Sequence, residues 1–90
     1  MHAVVVRVSI GDHELAEKAL REQVVPRVSS APGFVAGYWT RSSEGGNGLS
    51  MLVFDSEENA RAGAEQIGSA PMPETVTLDG TEIREVVANA

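Results

Sequence analysis

Val4, Val5, Val6, Val8 and Ile10 form a β-branched run that stops at Gly11 and Asp12, a pattern that predicts a buried strand leading into a helix start. From His13 the period lengthens. Leu15, Ala19 or Leu20, Val24 and Val28 recur at helical intervals, and the pairs Glu14 with Lys18 and Glu17 with Arg21 stand four apart in the favourable order. This predicts a first helix with Asp12 as its N-cap. Pro26 lies inside that pattern. It removes a backbone donor and crowds the preceding turn, so a kink is expected near Glu22 to Val25, with the helix ending over Ser29 to Gly33.

Phe34 to Arg41 is rich in aromatic and β-forming residues. The turn-forming stretch Ser42 to Gly48 follows, and then the apolar run Leu49 to Phe54, so strands two and three are expected to form a hairpin. Asp55, Ser56, Glu57 and Glu58 read as an acidic helix start, with Asp55 and Glu58 at capping-box spacing. Ala60, Ala64 and Ile67 share one face of this second helix, and their small volume brings it close to the sheet. It is expected to end near Gly68, with Pro71 and Pro73 barring its continuation. Thr75 to Leu78 and Thr81 to Val87 read as extended segments. Asp79-Gly80 between them is either a tight turn or a bulge in one last strand.

The order βαββαβ, without repeats or linkers, predicts an α+β, ferredoxin-like domain over residues 1–90, an antiparallel sheet with two helices on one face. Alternation then assigns Val4, Val6 and Val8 to one face of strand one and Ala3 and Val5 to the other. In strand three, Leu49, Met51 and Val53 stand opposite Leu52 and Phe54. Both faces are apolar and two helices cover only one. The other face therefore calls for a further layer, which in so short a chain is expected to be the sheet of a second copy, giving a homodimer.

Composition narrows the partners. With 42% hydrophobic and 22% charged residues the chain is globular, and its longest apolar stretch, Ala3 to Val6, is too short for a membrane helix or a signal-peptide core. A net charge of -6 opposes contact with phosphate backbones, so no nucleic-acid partner is expected. There is no cysteine, hence no disulfide, thiolate nucleophile or soft-metal site, which fits a reducing compartment, and a cytoplasmic location is expected. His2 and His13 lack the clustered carboxylates of a metal-ligand spacing, so no metal site is expected. Gly45, Gly46 and Gly48 join two strands and are not followed by Lys-Ser/Thr, which makes them a hairpin loop and not a phosphate cradle. No Gly-x-Ser-x-Gly elbow is present, so a serine-hydrolase triad is unsupported. Asp55, Glu57 and Glu58 are accounted for by capping.

Pro26-Arg27-Val28, then Ala31-Pro32-Gly33-Phe34 leading into Gly37-Tyr38-Trp39, resembles the dimeric α+β barrel superfamily, particularly its antibiotic biosynthesis monooxygenase-like members. The likeness spans the whole chain in element order. It implies a dimeric barrel and a cofactor-independent monooxygenase activity on a small aromatic or polyketide-like molecule. In the haem-degrading branch a haem ligand is expected at the second helix. Neither His2 nor His13 stands there, so no cofactor is expected.

Four residues remain as candidates for substrate binding: Arg7, Tyr38, Trp39 and Arg41. Alternation sets Trp39 and Arg41 on one strand face and Tyr38 with Phe34 and Ala36 on the other, so all four cannot line one pocket. Arg7, set in a valine strand, either pairs with Glu82 or Glu85 of the last strand or clamps an anion or enolate. Two functions stay open: a cofactor-free oxygenase in which Arg7 or Arg41 holds a substrate anion beside Tyr38 or Trp39, and a non-catalytic homodimeric module that binds a small organic ligand or serves assembly.

Overall fold

The computed structural model describes residues 1–72 and 74–90. Four antiparallel strands form one sheet in the order β2-β3-β1-β4: β1 (His2–Ile10), β2 (Phe34–Arg41), β3 (Asn47–Phe54) and β4 (Val76–Glu85). The helices α1 (His13–Ala19), α2 (Val25–Ser29) and α3 (Glu57–Ser69) lie on one face of it. This is the α+β ferredoxin-like arrangement that the order of elements predicts.

α1 and α2 belong to one continuous helical stretch, joined by a π-helical segment, Leu20–Val24. Asp12 caps its start, its carboxylate accepting from the backbone N–H groups of Glu14 and Leu15. Where a kink is expected ahead of Pro26 the chain forms the π-segment, in which the Val25 N–H reaches back five residues to the Leu20 carbonyl. The sheet-facing side chains Ala16, Leu20, Val24 and Val28 are four apart. That spacing drifts by about 40° per turn in a regular 3.6-residue helix, and the wider π-turn takes up the drift. Leu15, expected in the apolar stripe, is instead 59% exposed, because its neighbour Ala16 occupies the inward position.

The core lies between sheet and helices, where Val4, Val6, Leu52 and Phe54 pack against Val28 and Ala60. α3 comes close because Ala60 and Gly63 face the sheet, as its small residues predict. Its N-cap is Ser56 and not Asp55. The Ser56 hydroxyl accepts from the Asn59 N–H, while the Asp55 carboxylate takes the Asn59 side-chain amide.

Two bulges adjust the sheet. In β4 the register against β1 slips between Arg7 and Val8, whose partners are Gly80 and Leu78, so Asp79-Gly80 is a bulge within a single strand. In β2 the register slips between Phe34 and Ala36. The extra residue, Val35, puts Phe34 on the helix side, edge-on to Phe54 with ring centroids 5.9 Å apart, and not on the Tyr38 side as plain alternation predicts. Pro71 lies beyond the end of α3 in non-helical chain, and Pro73 falls outside the described residues.

The far face of the sheet carries Ala3 and Val5 at its centre, flanked by Leu49, Met51 and Tyr38, which are 46%, 45% and 68% exposed in the single chain. Among the described residues no helix is long and apolar enough to cross a membrane.

Candidate functional site

Between the sheet and the α1–π stretch lies a cavity of about 430 Å³. Val8 and Ile10 of β1 form part of its floor, with Val76 of β4 beside them, and Ala16 and Leu20 form its roof. Trp39 and Ser50 stand on adjacent strands, directly paired in the β2–β3 register. A deeper apolar pocket of about 100 Å³ shares Val8, Trp39 and Ser50 with this cavity and continues to Val24, Ile67 and Met72. The volume of the larger cavity falls in the range that takes a small organic ligand.

Trp39 reaches across its own strand. A Cβ placed on Gly37 would stand 2.9 Å from the indole Cη2, so the absence of a side chain at Gly37 is what lets the indole lie flat there, close to Leu52. Ser50 is 8% exposed and is the polar side chain in the helix-facing row of β3, between Gly48 and Leu52. Its hydroxyl offers a ligand a hydrogen-bond donor and acceptor in otherwise apolar walls. At the opposite end the cavity opens between Glu17, Arg21 and Arg41. Arg41 Nε stands 3.3 Å from Glu17 Oε2, and His13 Nδ1 stands 3.5 Å from the same oxygen.

The sheet thus divides the four residues expected to bind substrate. Trp39 and Arg41 come together in the cavity wall, as alternation predicts for that pair. Arg7 and Tyr38 are on the far face. Arg7 donates to Glu82 Oε1 at 2.9 Å, and Arg84 donates to the same oxygen at 3.1 Å. The hydrogen bond from Arg84, and then that from Arg7, hold the Glu82 carboxyl below its ordinary pKa. Of the two uses open to Arg7, the geometry is that of the ion pair.

Sequence reasoning missed Ser50 and Glu17. Ser50 was accessible to it, because alternation through Leu49-Ser50-Met51-Leu52 sets the serine among the helix-facing residues. Glu17 showed only its local partner Arg21, since its approach to Arg41 is a side-chain contact between residues distant in the chain.

Among solved structures, a dimeric ferredoxin-like protein from an uncultured marine organism matches over 100% of this chain and 98% of its own, with a TM-score of 0.67 at 16% identity. A monooxygenase from the gene ActVA-Orf6 of Streptomyces coelicolor, in complex with the ligand nanaomycin D, matches over 99% of this chain and 92% of its own, with a TM-score of 0.59 at 15% identity. Both likenesses show the ferredoxin-like fold. The fold is shared with one solved monooxygenase, as the resemblance noted in the sequence leads one to expect of the fold. No protein-family model matches the sequence, and no curated protein matches it. At such identities the likeness fixes the fold and leaves the chemistry to be argued from the cavity.

Proposed function

We propose that this protein binds a small aromatic or polyketide-like molecule in the cavity between the sheet and the α1–π stretch, and acts on it as a cofactor-independent monooxygenase. The observation that carries the reading is the union, in one cavity, of a flat aromatic wall at Trp39, a recessed hydroxyl at Ser50 and a guanidinium at Arg41. A polycyclic phenol fits that set, with its ring on Trp39, an oxygen near Ser50 and a phenolate or enolate toward Arg41. The fold shared with a monooxygenase that holds nanaomycin D supports the same class of ligand.

The chemistry asks little of acid or base groups. An electron-rich phenolate reduces molecular oxygen directly. One oxygen atom forms a new bond to ring carbon, and the other leaves as water with the two hydrogens lost from the substrate, converting phenol to quinone. The chain's part is to hold the anion in a site from which bulk water is largely excluded.

The working form is proposed to be a homodimer built on the far sheet face. The exposed Val35, Tyr38, Leu49 and Met51 support this, as does the dimeric state of a structural neighbour. Arg7 and Tyr38 then serve that interface, and Trp39 and Arg41 serve the ligand.

A second reading, a ligand-binding module without catalysis, draws on the scarcity of titratable side chains in the deep cavity, whose walls beyond the mouth are aliphatic residues, Met72, Trp39, Thr40 and Ser50. One experiment separates the two: oxygen uptake with a dihydroxynaphthalene, with the Trp39 indole N–H signal followed in parallel. Oxygen uptake above the uncatalysed rate, lost in Trp39→Ala, supports the oxygenase. A shifted indole signal without oxygen uptake supports the binding module, and no change in either overturns the cavity as a ligand site.

A further inference from the structure

The mouth of the cavity gathers three cationic or basic side chains around one carboxylate. Glu17 lies 3.3 Å from Arg41, 3.5 Å from His13 and 3.8 Å from Arg21, and none of the three contacts is a hydrogen bond. The arginine ion pairs elsewhere among the described residues are closed by hydrogen bonds: Arg7 and Arg84 donate to Glu82 at 2.9 and 3.1 Å, and Arg61 donates to Glu57 through both Nε and Nη2. The Glu17 carboxylate is therefore shared between guanidinium groups without being gripped by either. In a chain of net charge -6 with seven lysines and arginines, two arginines converge on this one opening.

Resting on the reading of the cavity as a ligand site, we propose that Glu17 is an internal stand-in for the ligand's own anionic group, a displaceable carboxylate that occupies Arg41 and Arg21 until an anionic aromatic ligand replaces it. The arrangement selects by charge. A carboxylate, phenolate or enolate exchanges one loose ion pair for another at little net cost, and then gains the apolar contacts beneath. A neutral ring of the same shape cannot take over the guanidinium groups, so it enters past a mouth that stays paired and leaves Arg41 committed to Glu17. Without a ligand the one carboxylate offsets part of the charge of the two arginines, and the binding free energy of a neutral ligand is limited to burial.

The test uses two probes of matched shape, 2-naphthoate and 2-naphthamide, titrated against the full chain. The readout is the single Trp39 indole N–H signal, which reports the cavity and not the far sheet face. Glu17→Gln keeps the side chain's size and removes its charge. It is expected to tighten 2-naphthoate roughly fivefold, the scale of a partly exposed ion pair, and to leave 2-naphthamide unchanged. Arg41→Gln is expected to abolish the preference for naphthoate while retaining naphthamide. Equal changes for both probes in Glu17→Gln, or none for either, overturn the stand-in role while leaving the cavity reading intact. If neither probe moves the indole signal in the unaltered protein, the cavity reading itself falls, and this inference with it.

Discussion

Gly63 of α3 lies so close to the ring of Phe54 that a Cβ at that position would stand 2.6 Å from Cζ. The contact fixes the height of the helix above the sheet. In an open helix, Gly→Ala is stabilising by up to about 1 kcal/mol. Here Gly63→Ala must push Phe54 out of its T-shaped contact with Phe34 or lift α3, and overpacking of this kind costs about 1–3 kcal/mol. The expected outcome is a lower urea midpoint despite the gain in helix propensity. An unchanged or higher midpoint would show that α3 does not sit at this distance.

Gly37 plays the corresponding part for the cavity. Gly37→Ala is expected to lift the Trp39 indole from its place near Leu52 into the space a ligand needs. The emission of the single tryptophan shifts toward the red as the ring gains water, and affinity for aromatic ligands falls about tenfold or more, with stability reduced by only about 1 kcal/mol. Intrinsic fluorescence and a ligand titration on the same samples check both parts.

Met51→Glu separates fold from assembly. The side chain is 45% exposed in the single chain, so a charge there costs the monomer little, whereas buried between two sheets it is an unpaired charge. Light scattering is expected to find two chains in the unaltered protein and one in the variant, with unchanged circular dichroism. A variant that stays dimeric would move the interface away from this face.

Glu82 provides a pH test. Arg84 and Arg7 hold its folded pKa below the ordinary value. Its contribution to stability is therefore present above the unfolded pKa and is lost as pH falls through the folded one. The Glu57 carboxyl, lowered chiefly by Arg61, behaves in the same direction. Glu57 is exposed and Glu82 half-exposed, so the effects are small and weaken with salt. Urea midpoints at pH 6 and pH 3 are expected to differ less in Glu82→Gln than in the unaltered chain, and the gap between the two proteins should narrow in 0.5 M salt. Identical acid sensitivity would mean that the Arg7–Glu82–Arg84 group does not form in solution.

The sheet was legible because Leu49 to Phe54 alternates with a period of two enforced by burial on one side, and because Ala3 to Val6 is a β-forming run buried on both faces. The first helix start was legible because Asp12 can satisfy the N–H groups of Glu14 and Leu15 without tertiary help. Phe34 was misassigned because a bulge changes face parity, and nothing in Phe34-Val35-Ala36 marks the extra residue. The site was half legible. Trp39 and Arg41 are two apart on one strand, so their shared face follows from local geometry. The meeting of Arg41 with Glu17 joins residues distant in the chain, so no local pattern announces it.

The π-segment Leu20–Val24 has a consequence for how this chain can vary in length. It is a helix carrying one residue too many, with the surplus confined between a capped start at Asp12 and the fixed ring of Pro26. Removing one residue there would turn the segment into ordinary α-helix and bring the inward positions to the alternating four-and-three spacing a regular helix prefers, with Ala16 and Val28 still facing the sheet. The cavity roof is thus the place where the backbone holds slack, and a one-residue change in length there would reshape the ligand space from above while the sheet below stays in register.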